Sequence, residues 1–202
     1  MTRSVELATK FFLVLTLMAD AAVVGAVVLV VAGRVARGPR ALLDRVVDVV
    51  GPSALGLAWL VAAVATAGSL YYSEVAHFAP CLLCWYQRIC MYPLVAVLGM
   101  GLVRRDHGVR WAALPLVVVG PLISAYHFLI ERRPSLGSGL SCSVEAPCTV
   151  PWFTELGFIS LAWMALSAFL LVGVLLAVDA AYERASPLVD EVEAPRLEEV
   201  RS

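Results

Sequence analysis

Apolar residues in this chain run on in long blocks, with the polar positions gathered between them. Four blocks, Phe11–Ala32, Ser53–Tyr72, Trp111–Ile130 and Leu156–Val178, each approach or exceed the roughly twenty residues that a membrane-crossing helix needs. A fifth, Leu82–Val103, matches them apart from Arg88. The first block is longer than a signal-peptide core and lacks a small-residue cleavage site after it, so it is read as a helix. In Arg40–Val50, the residues Leu42, Leu43, Val46, Val49 and Val50 recur at helical spacing around Asp44, Arg45 and Asp48. That pattern predicts a short amphipathic helix lying on the cytoplasmic membrane surface. Glu131–Phe153 is rich in Pro, Gly and Ser and reads as an irregular, mobile loop. From Glu183 onward, six acidic residues, three arginines and two prolines without packing periodicity predict a disordered tail.

Composition agrees with the blocks: 61% of the 202 residues are hydrophobic, 15% are charged, and the mean hydropathy is +0.86. A soluble domain does not have this balance. The expectation is an all-α integral membrane protein, a four-helix transmembrane bundle with one additional N-terminal transmembrane helix. Its parts are residues 1–52 (additional helix and amphipathic segment), 53–180 (bundle with two cysteine-bearing loops) and 181–202 (acidic tail). The net charge of −1 is uninformative about partners, and no nucleic acid is expected among them.

The distribution of charge says more than its sum. Arg34, Arg37, Arg40, Arg45, Arg104, Arg105, Arg110, Arg184, Arg196 and Arg201 fall in one set of loops. The alternate set holds Arg3, Lys10, Arg132 and Arg133. Ten basic residues against four orient the N-terminus outside and the C-terminus in the cytoplasm by the positive-inside rule. Both cysteine-bearing regions then face the extracytoplasmic side, where disulfides persist.

Those cysteines carry the candidate chemistry. Pro80 suits the first turn of a helix, which puts Cys81 and Cys84 one turn apart beside the positive end of its dipole. That environment favours a thiolate, the species that attacks disulfides. Arg88 follows Cys84 by four residues on the same face, one turn deeper. Its charge can support a thiolate or a polar electron acceptor, or it can snorkel to the surface. Cys142 and Cys148 form a second pair in the outer loop. Taken alone they suit a structural disulfide. Beside a fixed CxxC they also suit a relay in which each exchange passes two electrons through a mixed disulfide. Four cysteines are in addition a zinc pattern, which an oxidising compartment disfavours. Cys90 points away from the Cys84–Arg88 face and is read as packing. His77 stands near the CxxC pair as a loop histidine that can influence a thiolate. Tyr126 and His127 can border a headgroup pocket or anchor the interface. Asp20, the one acid within a span, has no assigned role.

Three segments together resemble the DsbB/BdbC family of membrane thiol–disulfide oxidoreductases, nearest its BdbC-like branch. They are "SEVAHFAPCLLCWYQRICMYP" at Ser73–Pro93, "AYHFLIER" at Ala125–Arg132 and "SCSVEAPCTVPWFTELGFISL" at Ser141–Leu161. The resemblance covers about Ser53 to Val178. It implies that Cys81 and Cys84 are reoxidised by a membrane quinone, menaquinone or ubiquinone, with Arg88 supporting quinone binding. It implies that Cys142 and Cys148 reoxidise an extracytoplasmic DsbA/BdbD-like thiol oxidase of thioredoxin fold, in support of disulfide bond formation in exported proteins. The block Phe11–Ala32 and the short spacing of the loop pair depart from the family pattern. A vitamin K epoxide reductase-like enzyme has similar parts, but there the CxxC follows the loop pair. A non-catalytic scaffold with structural disulfides is the alternative of another class.

Overall fold

A computed structural model of the chain describes residues 3–106, 108–137 and 146–201, with side chains described as far as Ala185. Among the described residues, five helices are long and apolar enough to cross a membrane. They are α1 (Arg3–Gly33), α2 (Arg37–Leu70), α3 (Leu82–Arg104), α4 (Val109–Arg132) and α5 (Leu161–Arg201). The protein is therefore an all-α, multi-pass membrane protein.

Helices α2, α3, α4 and α5 pack in a ring, and α1 lies outside it against α2 and α5. Small residues of α2 (Ala58, Ala62) let larger side chains of α3 and α5 interdigitate, with Leu94, Leu98, Phe169 and Val172 fully buried. Cys90 belongs to this core and is 6% exposed, as its helical phase predicts. At one end of the bundle Arg110 of α4 pairs with Asp179 and Glu183 of α5. The cysteines lie at the other end.

Three boundaries differ from the sequence reading. The Arg40–Val50 segment is not a separate surface helix: it is the first part of α2, which runs on through Gly51 and Pro52. Gly51 is buried under the ring of Tyr182, where a Cβ would collide, so close packing on α5 fixes this stretch. The last span begins at Leu161, because Leu156 and Gly157 adopt left-handed φ values of 50° and 79°. A turn closed by paired backbone bonds between Glu155 and Ile159 precedes it. The acidic tail, expected to lack order, continues α5 as helix to Arg201, in keeping with its helix-forming Leu, Ala, Glu and Arg content.

Candidate functional site

The N-terminus of α3 builds the site. Cys81 is the N-cap, with extended backbone (φ −73°, ψ 172°), and its Sγ accepts from the backbone N–H of Cys84 at 3.3 Å. Pro80 therefore precedes the cap and does not occupy the first turn. One turn on, Cys84 Sγ lies 2.8 Å from Cys81 Sγ. Cys81, Cys84 and His127 bring their ligand atoms within 4.8 Å of one another, so the cluster offers both a thiol pair that can form a disulfide and three donors of the kind that hold a metal ion. Cys81, Cys84 and Cys90 are free thiols, and Cys148 is disulfide-bonded. Cys142 lies outside the described residues.

Cys148 is 1% exposed and packs in one apolar cluster with Cys81, Leu83, Ile130 and Ala146. Two cysteines 67 positions apart in the chain are thereby gathered at one end of the bundle. The segment Ala146–Cys148 is laid against the N-terminus of α3, whatever the rest of its loop does.

On the α4 side, His127 Nε2 lies 3.6 Å from Cys81 Sγ. The same nitrogen is 3.8 Å from Glu131 Oε1, one turn along α4. Glu131 Oε2 in turn accepts from Ser160 Oγ at 2.5 Å. His127 and Glu131 are both almost wholly buried, so this line of polar groups passes through protein rather than solvent. The Cys81 thiol is held well below the usual thiol range, first by the Cys84 thiol donating to it. The His127 ring adds to that effect, and burial opposes both.

On the α2 side, Arg88 is fixed from several directions. Its Nε donates to Ser69 Oγ and its terminal nitrogen to the Ser69 carbonyl, each at 3.0 Å. The guanidinium lies over the rings of Trp85 and Tyr92, 5.3 and 6.0 Å from their centroids. Arg88 is therefore immobilised within the bundle and does not snorkel freely. Ser69 holds the arginine, although it looks unremarkable in an apolar block.

Two cavities meet at this point. The larger, about 460 Å³, is lined mainly by apolar side chains, with Cys84, Gln87, Arg88 and Tyr92 on the α3 wall. The smaller, about 210 Å³, is lined by Cys81, Cys84, His127, Glu131 and residues 146, 147 and 150–152 of the loop. Cys84 borders both, and Cys81 borders only the smaller. Trp152 also borders both and stacks on Phe78, with centroids 4.7 Å apart and rings 3° from parallel.

Among the residues singled out in the sequence, Cys81, Cys84, Arg88 and Cys148 converge here. His127 does border a cavity, but its ring nitrogen reaches Cys81 on the side away from Arg88. Tyr126 points elsewhere, its hydroxyl donating to the Leu136 carbonyl. His77 is exposed at a left-handed turn with φ 55°. Glu131 and Ser160 escaped the sequence reading. The available signal was the i, i+4 spacing of His127 and Glu131, which puts two ionisable side chains on one face at the end of an apolar helix.

The family model described as disulfide bond formation protein DsbB matches residues 52–179. Disulfide bond formation protein C of Bacillus subtilis (strain 168) is 42% identical over 114 residues, which are 56% of this chain and 83% of the relative. A probable disulfide formation protein of Oceanobacillus iheyensis is 43% identical over 120 residues, 59% of this chain and 83% of the relative. One from Coxiella burnetii (strain Dugway 5J108-111) is 44% identical over 119 residues, 58% and 81% of the two chains. No solved structure gives a significant match.

Proposed function

The chain belongs to the DsbB family of disulfide bond formation proteins, membrane disulfide oxidoreductases, and on that premise we propose that it carries electrons from a secreted dithiol oxidase of thioredoxin fold to a membrane quinone. The position of Cys84 on the wall between two unlike cavities carries this reading. One cavity holds the sulfur chemistry of the loop, and the other holds a fixed cation in an apolar chamber.

The relay begins when a thiolate of the reduced partner attacks the Cys142–Cys148 disulfide. A mixed disulfide forms, and the partner's second thiol resolves it, leaving the partner oxidised and the loop pair reduced. The loop pair then reduces the Cys81–Cys84 disulfide by the same two-step exchange. The cluster that joins Cys148 to Cys81 supports this order. Once that exchange is complete and both thiols are free, the Cys81 thiolate is stabilised by the Cys84 thiol and the His127 ring. His127, Glu131 and Ser160 form a buried path along which the released proton can be held near Cys81.

The other cavity supports a place for the acceptor. A quinone has a flat polar headgroup and an apolar tail, and the larger cavity offers Arg88 beside Cys84 and apolar walls beyond. A bound quinone would supply a two-electron, two-proton acceptor there, by which the Cys81–Cys84 dithiol could return to a disulfide. Arg88 supplies positive charge where that headgroup gains electrons, in surroundings too poorly hydrated to screen it.

The charge distribution supports an arrangement with the cysteine end outside and the C-terminus in the cytoplasm. An impermeant thiol reagent added to intact, reduced cells then labels the loop pair; labelling only after membrane rupture inverts the arrangement. For the activity, the purified protein is mixed with a reduced thioredoxin-fold oxidase, and partner oxidation is followed as quinone is added. Oxidation at the same rate without quinone rules out the quinone as acceptor.

A further inference from the structure

Helix α1 lies outside the segment that matches the family, yet it forms a wall of the larger cavity. Phe12, Leu15, Thr16, Ala19 and Ala22 line it from α1, at the spacing of a single helical face. Two sets of contacts fix that face. Near one end, the Tyr72 hydroxyl donates to Thr9 Oγ1 at 3.2 Å. There the Phe12 ring also sits so close to α2 that a Cβ on Gly68 would meet it at 2.7 Å. Deeper in the span, Asp20 accepts from Trp163 Nε1 at 2.9 Å and from Ser167 Oγ at 2.5 Å. Both carboxylate oxygens are thus engaged by α5.

A carboxylate in a membrane span is costly, and an aliphatic side chain would pack there without that cost. What Asp20 adds is register: directional bonds fix both the rotation of α1 and its height against α5. The face so fixed begins beside Gly68, next in the chain to the Ser69 that holds Arg88. From Phe12 to Ala22 it descends about 15 Å. Toward its deeper part its side chains are small, with Thr16 and Ala19 buried.

We propose that α1 is a built part of the acceptor site. It closes the cavity around the prenyl tail of a quinone whose headgroup lies at Arg88 and Cys84, and Asp20 is the positioning residue that sets this wall. The inference rests on the quinone reading above and deepens it. Without α1 the same headgroup would sit in a groove open toward α1's side, and tail length would matter little. With α1 in place the tail is gripped, so long-tailed quinones are preferred to tailless analogues.

The test uses the full-length protein in lipid nanodiscs with quinones of one headgroup and different tail lengths. Ala19→Leu is expected to raise KM for the long-tailed quinone by about tenfold, with kcat kept and KM for a tailless analogue changed less than about twofold. Asp20→Asn, which keeps shape and loses one acceptor, is expected to move the same KM ratio in the same direction by less. A merely structural role would lower activity toward both quinones alike and leave that ratio unmoved, which overturns the proposal. A measurement on the unmodified protein guards against misfolding of either variant. A quinone with a photoreactive group on its tail should label the peptide containing Leu15–Ala22, and unlabelled long-tailed quinone should compete. Competable labelling confined to α2, α3 or α5 removes α1 from the site and leaves the quinone reading standing. No competable labelling anywhere sinks the quinone reading, and this proposal with it.

Discussion

The two cavities that meet at Cys84 differ in nearly every physical respect. The smaller is walled by a loop and lined by a histidine, a carboxylate and two thiols. The larger is walled mainly by helices and mainly apolar, and its guanidinium is tied to Ser69. Disulfide exchange needs thiols, proton acceptors and a second cysteine close by, and the first cavity brings Cys81, Cys84, His127 and Glu131 together beside the buried Cys148. Two-electron transfer to a lipid-soluble acceptor needs an apolar chamber with one well-placed charge, and the second has that. In the proposed relay, Cys84 on the shared wall couples sulfur chemistry on one side to electron transfer on the other.

The sharpest way to break this contrast is to remove the shared cysteine. Cys84→Ala should lower quinone-dependent partner oxidation by about a thousandfold or more, as for loss of a covalent participant. Exchange of the loop pair with the partner should persist, measured as a single-turnover mixed disulfide or oxidised partner. Loss of both would mean that the two sides are not separable.

Arg88→Ala touches only the larger cavity. Quinone-dependent turnover should fall by about 10²-fold, comparable to losing one preorganised stabilising group, while quinone-free exchange with the partner stays unchanged. Lysine should rescue only in part, because it replaces a planar fork of donors with a point charge. Turnover measured against quinone concentration, beside quinone-free exchange, separates these outcomes. Equal slowing of both, or of neither, would make the arginine an anchor.

A third test belongs to the smaller cavity. With its pKa lowered, Cys81 is deprotonated at pH values where an ordinary thiol remains protonated. In the reduced protein, alkylation of Cys81 by a small reagent should therefore inflect well below the usual thiol value of about 8.5. Cys84→Ala should raise that inflection most, because it removes the largest cause, and His127→Ala should raise it less. An inflection unmoved by either variant would detach the thiolate from the groups around it.

The smallest effect is expected at the remaining thiol. Cys90→Ala removes one buried sulfur from the core and should cost about 1 kcal/mol of stability, read as a small drop in melting temperature, with turnover intact. A loss of turnover comparable with Cys84→Ala would overturn its assignment to packing.

The architecture was legible because a bilayer demands long uninterrupted apolar blocks, and those blocks survive translation into helices with shifts only at their ends. Where the sequence misled, local packing decided. The Gly51–Pro52 pair falls at a predicted boundary, yet Tyr182 closes over Gly51 and the helix runs through. At the site, Cys81, Cys84 and Arg88 were readable because all three lie within eight residues on one helix. The His127–Glu131 pair is signalled by its i, i+4 spacing on α4, but its approach to Cys81 and to Ser160 comes from tertiary packing, which spacing does not disclose. Asp20 was conspicuous as an acid among apolar neighbours, but its partners, Trp163 and Ser167, stand more than 140 positions away.

The contact of Arg110 with Asp179 and Glu183 bears on how such a chain is assembled. Arg110 enters the bilayer boundary with α4, whereas both of its carboxylate partners arrive with the last helix. During synthesis the ribosome must extend the chain by about seventy residues, some seconds of work, before that cation is neutralised. A nascent chain halted before Asp179 would leave that guanidinium without either of its carboxylate partners.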